Sequence, residues 1–163
     1  MAAAICRHHL ATAGLPGVAS SAGLLPGGTS APPAAVAALA RLGIDLSHHR
    51  SATLEAGHVA GADLVLGMER IHLRAAAVTV PGAFTRCFTI LDFLRRGLDV
   101  GSRPSHESVS QWLDRLGTDR RPDGYLADDP TDAVADPQGA GPAAYQATAG
   151  QLDTLVRGVL FLL

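Results

Sequence analysis

Ala62-Asp63-Leu64-Val65-Leu66, held between Gly61 and Gly67, is the stretch that decides the fold. It is a short apolar run bounded by turn residues, the pattern of a strand covered on both faces, as in a parallel sheet clothed by helices. Working outward, Glu69 to Val78 returns to helical spacing. Arg86 to Ile90 reads as the next strand and Leu91 to Leu98 as a helix after it. On the other side, Val18 to Ser21 is short and β-leaning, so a strand is expected there too. Helices alternating with short buried strands predict an α/β fold, a three-layer sandwich with a short parallel sheet flanked by helices.

The remaining elements follow from their punctuation. Residues 2–13 predict a helix that Gly14 ends. Leu24 to Pro33 is a Pro/Gly loop, and Ala34 to Leu42 is an Ala/Leu helix with Pro33 at its start and Gly43 at its stop. A short helix is expected around Leu54 to Val59. Glu107 to Leu116 places Val109, Trp112, Leu113 and Leu116 on one helical face. Residues 117–141 read as a long polar loop, and a last helix from Pro142 to Leu162 turns Leu152, Leu155, Val156 and Val159 inward. The pattern opens on a helix, with no strand ahead of it.

At 163 residues the chain has the length of one domain, here residues 1–163, and 47% hydrophobic residues suffice for a core. All 13 basic residues are arginine and the formal net charge is −2, so no basic stripe marks a nucleic-acid partner. No apolar run is long enough for a bilayer. Cys6 and Cys87 fit no metal or redox spacing, which suits a reducing cytoplasm. Seven histidines include the pairs His8-His9 and His48-His49, but adjacent helical residues diverge and no further ligand completes a metal site. No cofactor is expected.

Four segments, in this order, resemble one family. They are Ser20-Ser21-Ala22-Gly23; Leu42-Gly43-Ile44-Asp45-Leu46-Ser47 with His49-Arg50; Ala62 to Met68; and Asp136-Pro137 just ahead of the last helix. Together they are similar to the low molecular weight protein-tyrosine phosphatases, above all the bacterial branch. The resemblance implies a phosphomonoester hydrolase acting on a phosphorylated protein or small phosphomonoester. It implies Asp136 as the general acid that protonates the leaving oxygen and then activates water. It also implies His49 as a hydrogen-bonding support of the catalytic loop.

The family's nucleophile lies in a loop of pattern C-x-x-x-x-x-R-S between the first strand and the first helix. The spacing sets a thiolate inside a ring of backbone N–H groups at a helix N-terminus, and the arginine closes the ring on phosphate. Six residues after Cys6 stands Thr12, and six after Cys87 stands Phe93, so no such loop occurs. Met1-Ala2-Ala3-Ala4 aligns with the start of the helix that follows the loop. The expectation is a chain whose first, central strand and catalytic loop are missing ahead of Met1. Cys6 then reads as a buried helical cysteine, and the chain as inactive and open-edged. A non-catalytic remnant of the fold and an arsenate reductase-like relative stand as alternatives.

Read by themselves, the candidates have simpler explanations. Asp136-Pro137 is a turn, His49 a turn histidine, and Asp132, the nearest rival to Asp136, a solvated loop residue. Gly27-Gly28-Thr29-Ser30 lacks the lysine of a phosphate-binding P-loop and falls in the family's variable rim loop. That rim, Leu24 to Ser30, has no aromatic residue, and Gln138-Gly139 follows Asp136-Pro137, so the apolar grip for an aryl ring is thin.

Overall fold

A computed structural model describes all residues 1–163. In chain order the regular elements are α1 (Ala2–Ala13), α2 (Pro33–Ala40), α3 (Ala56–Ala60), β1 (Val65–Gly67), α4 (Arg70–Thr79), β2 (Cys87–Thr89), α5 (Ile90–Val100), α6 (Val109–Leu116) and α7 (Pro142–Leu162). The chain divides into two compact units, residues 1–53 with 135–157 and residues 54–134 with 158–163.

The first unit is helical. Alanine favours α1, and Gly14 ends it in the left-handed region at φ 63°, its N–H returning to the carbonyls of Leu10 and Ala11. Ala4, Ile5 and Leu10 are its buried face. Pro33 opens α2, which buries Ala35, Ala38 and Leu39. His9 Nε2 lies 2.6 Å from Asp153 Oδ1 and ties α1 to α7, whose buried residues here include Ala149, Leu152 and Val156. The rim loop is stitched to residues 51–53: Gly27 N–H donates to Thr53 Oγ1 at 2.8 Å, and Gly28 N–H to the Ser51 carbonyl at 2.8 Å.

The strand expected at Val18–Ser21 does not form. The segment has no ladder partner, and Val18 is 98% exposed. A strand is defined by a neighbour that accepts and donates along its edge, and here none lies alongside. Only Gly23, at the end of the motif, makes an isolated parallel bridge, to Thr53.

The second unit holds the sheet. β1, α4 and β2 form a β-α-β unit with parallel register Val65↔Cys87, Leu66↔Phe88 and Gly67↔Thr89. The sheet has two strands rather than three; β1 takes the end of its apolar run and Gly67 after it, and β2 the centre of its own. Helix starts are capped by side chains. His58 Nδ1 accepts the Glu55 N–H at 3.2 Å and His72 Nδ1 the Glu69 N–H at 3.1 Å, which requires the unprotonated nitrogen. Thr89 Oγ1 caps α5, and Ser108 with Gln111 boxes the start of α6. Inside, Phe88, Phe93 and Trp112 pack edge to face at 5.8 and 5.6 Å, and Trp112 Nε1–H donates to the Gly101 carbonyl at 3.1 Å. α5 and the end of α7 pack where Gly97 meets Leu162 and Gly158 meets Leu94, with no room for a Cβ at Gly97.

The segment read as a solvated loop is tied by buried charge. Asp132, expected as loop solvation, is 1% exposed: Arg70 Nε donates to its Oδ2 at 2.8 Å and Arg95 to its Oδ1 at 2.7 Å. Asp92, 2% exposed in the first turn of α5, accepts from Arg95, Arg96 and Tyr125 Oη, the last at 2.8 Å. Arg120 stacks on Phe84, Phe88 and Tyr125 while donating to the Cys87 carbonyl at 2.6 Å. Carboxylates this deep require several charge-assisted partners each.

Candidate active site

The residues singled out for chemistry lie in the first unit. His49 follows the buried pair Ile44 and Leu46 in a turn, and its own N–H donates to the Leu46 carbonyl at 3.1 Å. Its ring is half-buried. Burial, and then the positive charges of the Met1 ammonium, Arg7 and Arg50, hold its pKa below the ordinary histidine value. The imidazole is therefore kept neutral, the state in which one nitrogen donates and the other accepts. The charges acting on it are all cationic, and Asp136 is not among them.

Arg7 reaches across from α1 to donate to the Ala19 carbonyl at 2.7 Å, fastening the helix to the residue before Ser20-Ser21-Ala22-Gly23. Arg50 donates to the His49 carbonyl at 2.9 Å. The N-terminal turn of α1 has no side-chain cap. A helix N-terminus carries partial positive charge, and with Arg7 and Arg50 acting at His49 this side of the unit suits an anion such as phosphate.

Asp136 is exposed, and its Oδ1 accepts the Gln138 N–H at 2.9 Å in an Asx turn that Pro137 stiffens. That bond holds one carboxylate oxygen and leaves the other without a hydrogen-bond partner.

The two thiols are not activated. Cys6 is half-buried on α1 rather than fully buried as the sequence suggests, because its position borders the Ala4 and Ile5 face without belonging to it. Burial raises its pKa and the nearby Arg7 only partly opposes this. Cys87, fully enclosed on β2, is likewise raised by burial against Arg86 and Arg120. No group of three His, Cys, Asp or Glu side chains is placed to hold a metal ion. No helix is long and apolar enough to cross a membrane.

Reading the sequence missed the Asp92–Asp132 network. A signal was present: five aspartates fall between 119 and 132, and four of them pair with arginines four apart at 70 and 74 and adjacent at 95 and 96.

The chain's fold is similar to that of a low molecular weight protein tyrosine phosphatase from T. tengcongensis (TM-score 0.73, 27% identity, 99% of this chain and 88% of that one). It is equally similar in sequence to the YwlE arginine phosphatase from Geobacillus stearothermophilus (TM-score 0.67, 27% identity, 97% of this chain and 79% of that one). A low molecular weight protein tyrosine phosphatase from Bacillus subtilis shares the fold at 24% identity and TM-score 0.69, over 98% of this chain and 84% of that one. No curated protein matches. The model for low molecular weight phosphotyrosine protein phosphatases matches residues 1–111, from α1 through the sheet into α6, and the chain belongs to that family.

Proposed function

We propose that residues 1–163 are a single catalytic-domain body of a cytoplasmic, cysteine-dependent phosphomonoester hydrolase, with Asp136 as general acid and base and His49 as the support of its phosphate loop. The observation that carries this is the family match through residue 111, joined to an Asp-Pro turn placed immediately before α7. Two free thiols fit a reducing compartment. In the reaction a thiolate attacks phosphorus, the P–O bond breaks, and the leaving oxygen takes the Asp136 proton. The carboxylate then removes a proton from water, which attacks the phosphocysteine and releases phosphate.

The thiolate is not among these 163 residues, and we place it in a strand-and-loop segment ahead of α1. The family match begins at residue 1 and does not mark this gap. Three features support it: the Val18–Ser21 segment has no ladder partner, β1 pairs with β2 alone, and neither cysteine has an arginine six residues on. Residues 1–163 should therefore show no thiol-dependent hydrolysis of an aryl phosphate. Losing a whole nucleophilic constellation removes on the order of 10⁶ in rate in a comparable enzyme. Turnover abolished by Cys6→Ser would overturn this.

Translating the coding DNA upstream in frame is the decisive observation. A C-x-x-x-x-x-R-S segment establishes the enzyme, and an immediate stop codon favours a non-catalytic remnant. In the extended enzyme, Asp136→Asn should cost roughly 10²- to 10⁴-fold in turnover with phosphate binding retained. A second substrate reading has its own support. The rim from Leu24 to Ser30 is non-aromatic, and one relative at 27% identity is an arginine phosphatase. Phosphoarginine and phosphotyrosine proteins offered to the extended enzyme separate the two.

A further inference from the structure

A separate cavity lies wholly within the second unit, where the chain enters its two strands. It measures about 250 Å³ and is lined by Gly61 and Asp63 ahead of β1, Thr85 and Arg86 ahead of β2, and Ser110 and Asp114 of α6. Ser110 and Asp114 stand four apart and so share one helix face. The space is large enough for a small polar molecule.

Its charges are unspent. Arg86 donates one long bond, from a terminal nitrogen to the Val59 carbonyl at 3.3 Å, and its Nε is buried with no partner. Asp63 and Asp114 take part in no ion pair. Elsewhere in this unit the enclosed Asp92, Asp132 and Arg120 are each paired with opposite charge, whereas Arg86 keeps a buried Nε without an acceptor beside two exposed, unpaired aspartates. A buried donor without an acceptor is costly, and a ligand oxygen would relieve it.

We infer that this cavity binds a small zwitterion, its carboxylate on Arg86 and its ammonium group on Asp63 and Asp114. A simple carboxylate would gain Arg86 but meet two like charges. A simple amine would gain the aspartates but meet the guanidinium. A molecule carrying both groups gains from each side through charge-assisted hydrogen bonds. The site is independent of the phosphatase reading and uses none of its residues.

Calorimetric titration of residues 1–163 with glycine, 4-aminobutyrate and 6-aminohexanoate tests this and measures the charge separation. At least one should saturate with a Kd tenfold or more below those of acetate and methylammonium. Asp114→Asn, which alters only an exposed carboxylate, should weaken that ligand at least tenfold, and Arg86→Gln should do the same where circular dichroism shows it folded. The proposal falls if none of the three saturates, if acetate or methylammonium binds as tightly, or if Asp114→Asn leaves the affinity unchanged.

Discussion

Charge is used in opposite ways around Asp92 and Asp132 and around Asp136 and His49. In residues 54–134, Asp92 and Asp132 are enclosed and each accepts from at least two arginine or tyrosine donors. In residues 1–53 with 135–157, the polar groups of interest lie at the surface or half-buried. Asp136 makes one local turn bond, and the half-buried His49 ring feels the positive charges of the Met1 ammonium, Arg7 and Arg50. A charge whose valences are filled by its own chain holds structure, and one left open is free to meet a ligand. The contrast separates the aspartate that anchors residues 117–134 from the exposed aspartate four residues later, which makes only a local turn bond.

The sharpest way to break this contrast is to remove a filled charge. Asp92→Ala strands Arg120, whose side chain is 1% exposed, and unlinks Arg96. Removing one partner of a buried pair costs about 3–5 kcal/mol, so urea unfolding should show a loss of that size. A loss under about 1 kcal/mol would mean the network is ornamental. Tyr125→Phe deletes only the hydroxyl that joins Asp92 to Arg120. It should cost about 1–2 kcal/mol, since Asp92 keeps its arginines.

Asp136→Asn in the same assay should stay within about 0.5 kcal/mol of the parent, because an exposed turn residue carries little stability. A loss as large as that of Asp92→Ala would return Asp136 to a structural role.

The smallest effect is a slope. Burial and neighbouring cations disfavour the His49 imidazolium in the fold, so the unfolded chain binds that proton more readily. Its contribution is complete above the ordinary histidine value of 6.5 and is lost as pH falls through 6.5 toward the lower folded value. Melting temperature followed from pH 8 to 5 should fall less steeply in His49→Gln than in the parent. Parallel curves would show His49 to be solvated.

Much of the fold was legible because it is locally signalled. Pro142 fixes the start of α7 and Gly14 the end of α1, as expected from their backbone preferences alone. The apolar run at 86–90 contains β2, and the run at 62–66 leads into β1, which includes Gly67 as well. What failed was non-local. Val18–Ser21 has strand composition, but pairing belongs to a neighbour, and composition does not report one. Asp132 looks like any loop aspartate, and its burial depends on Arg70 and Arg95, 62 and 37 residues away. Asp136 and His49 were legible only through family motifs, since their local settings are ordinary turns.

Trp112, the sole tryptophan, lies fully enclosed among aromatic rings in the second unit, and the first unit has none. The molecule thereby contains an optical reporter confined to one half. Tryptophan emission registers the environment of residues 54–134, whereas far-ultraviolet dichroism is weighted toward helices of both halves, α1 and most of α7 among them. Coincident melting by the two signals would mean that both halves lose structure in one cooperative step. Dichroism that decays while emission stays unshifted would show α1, α2 and the Asp136 turn loosening while the sheet stays intact.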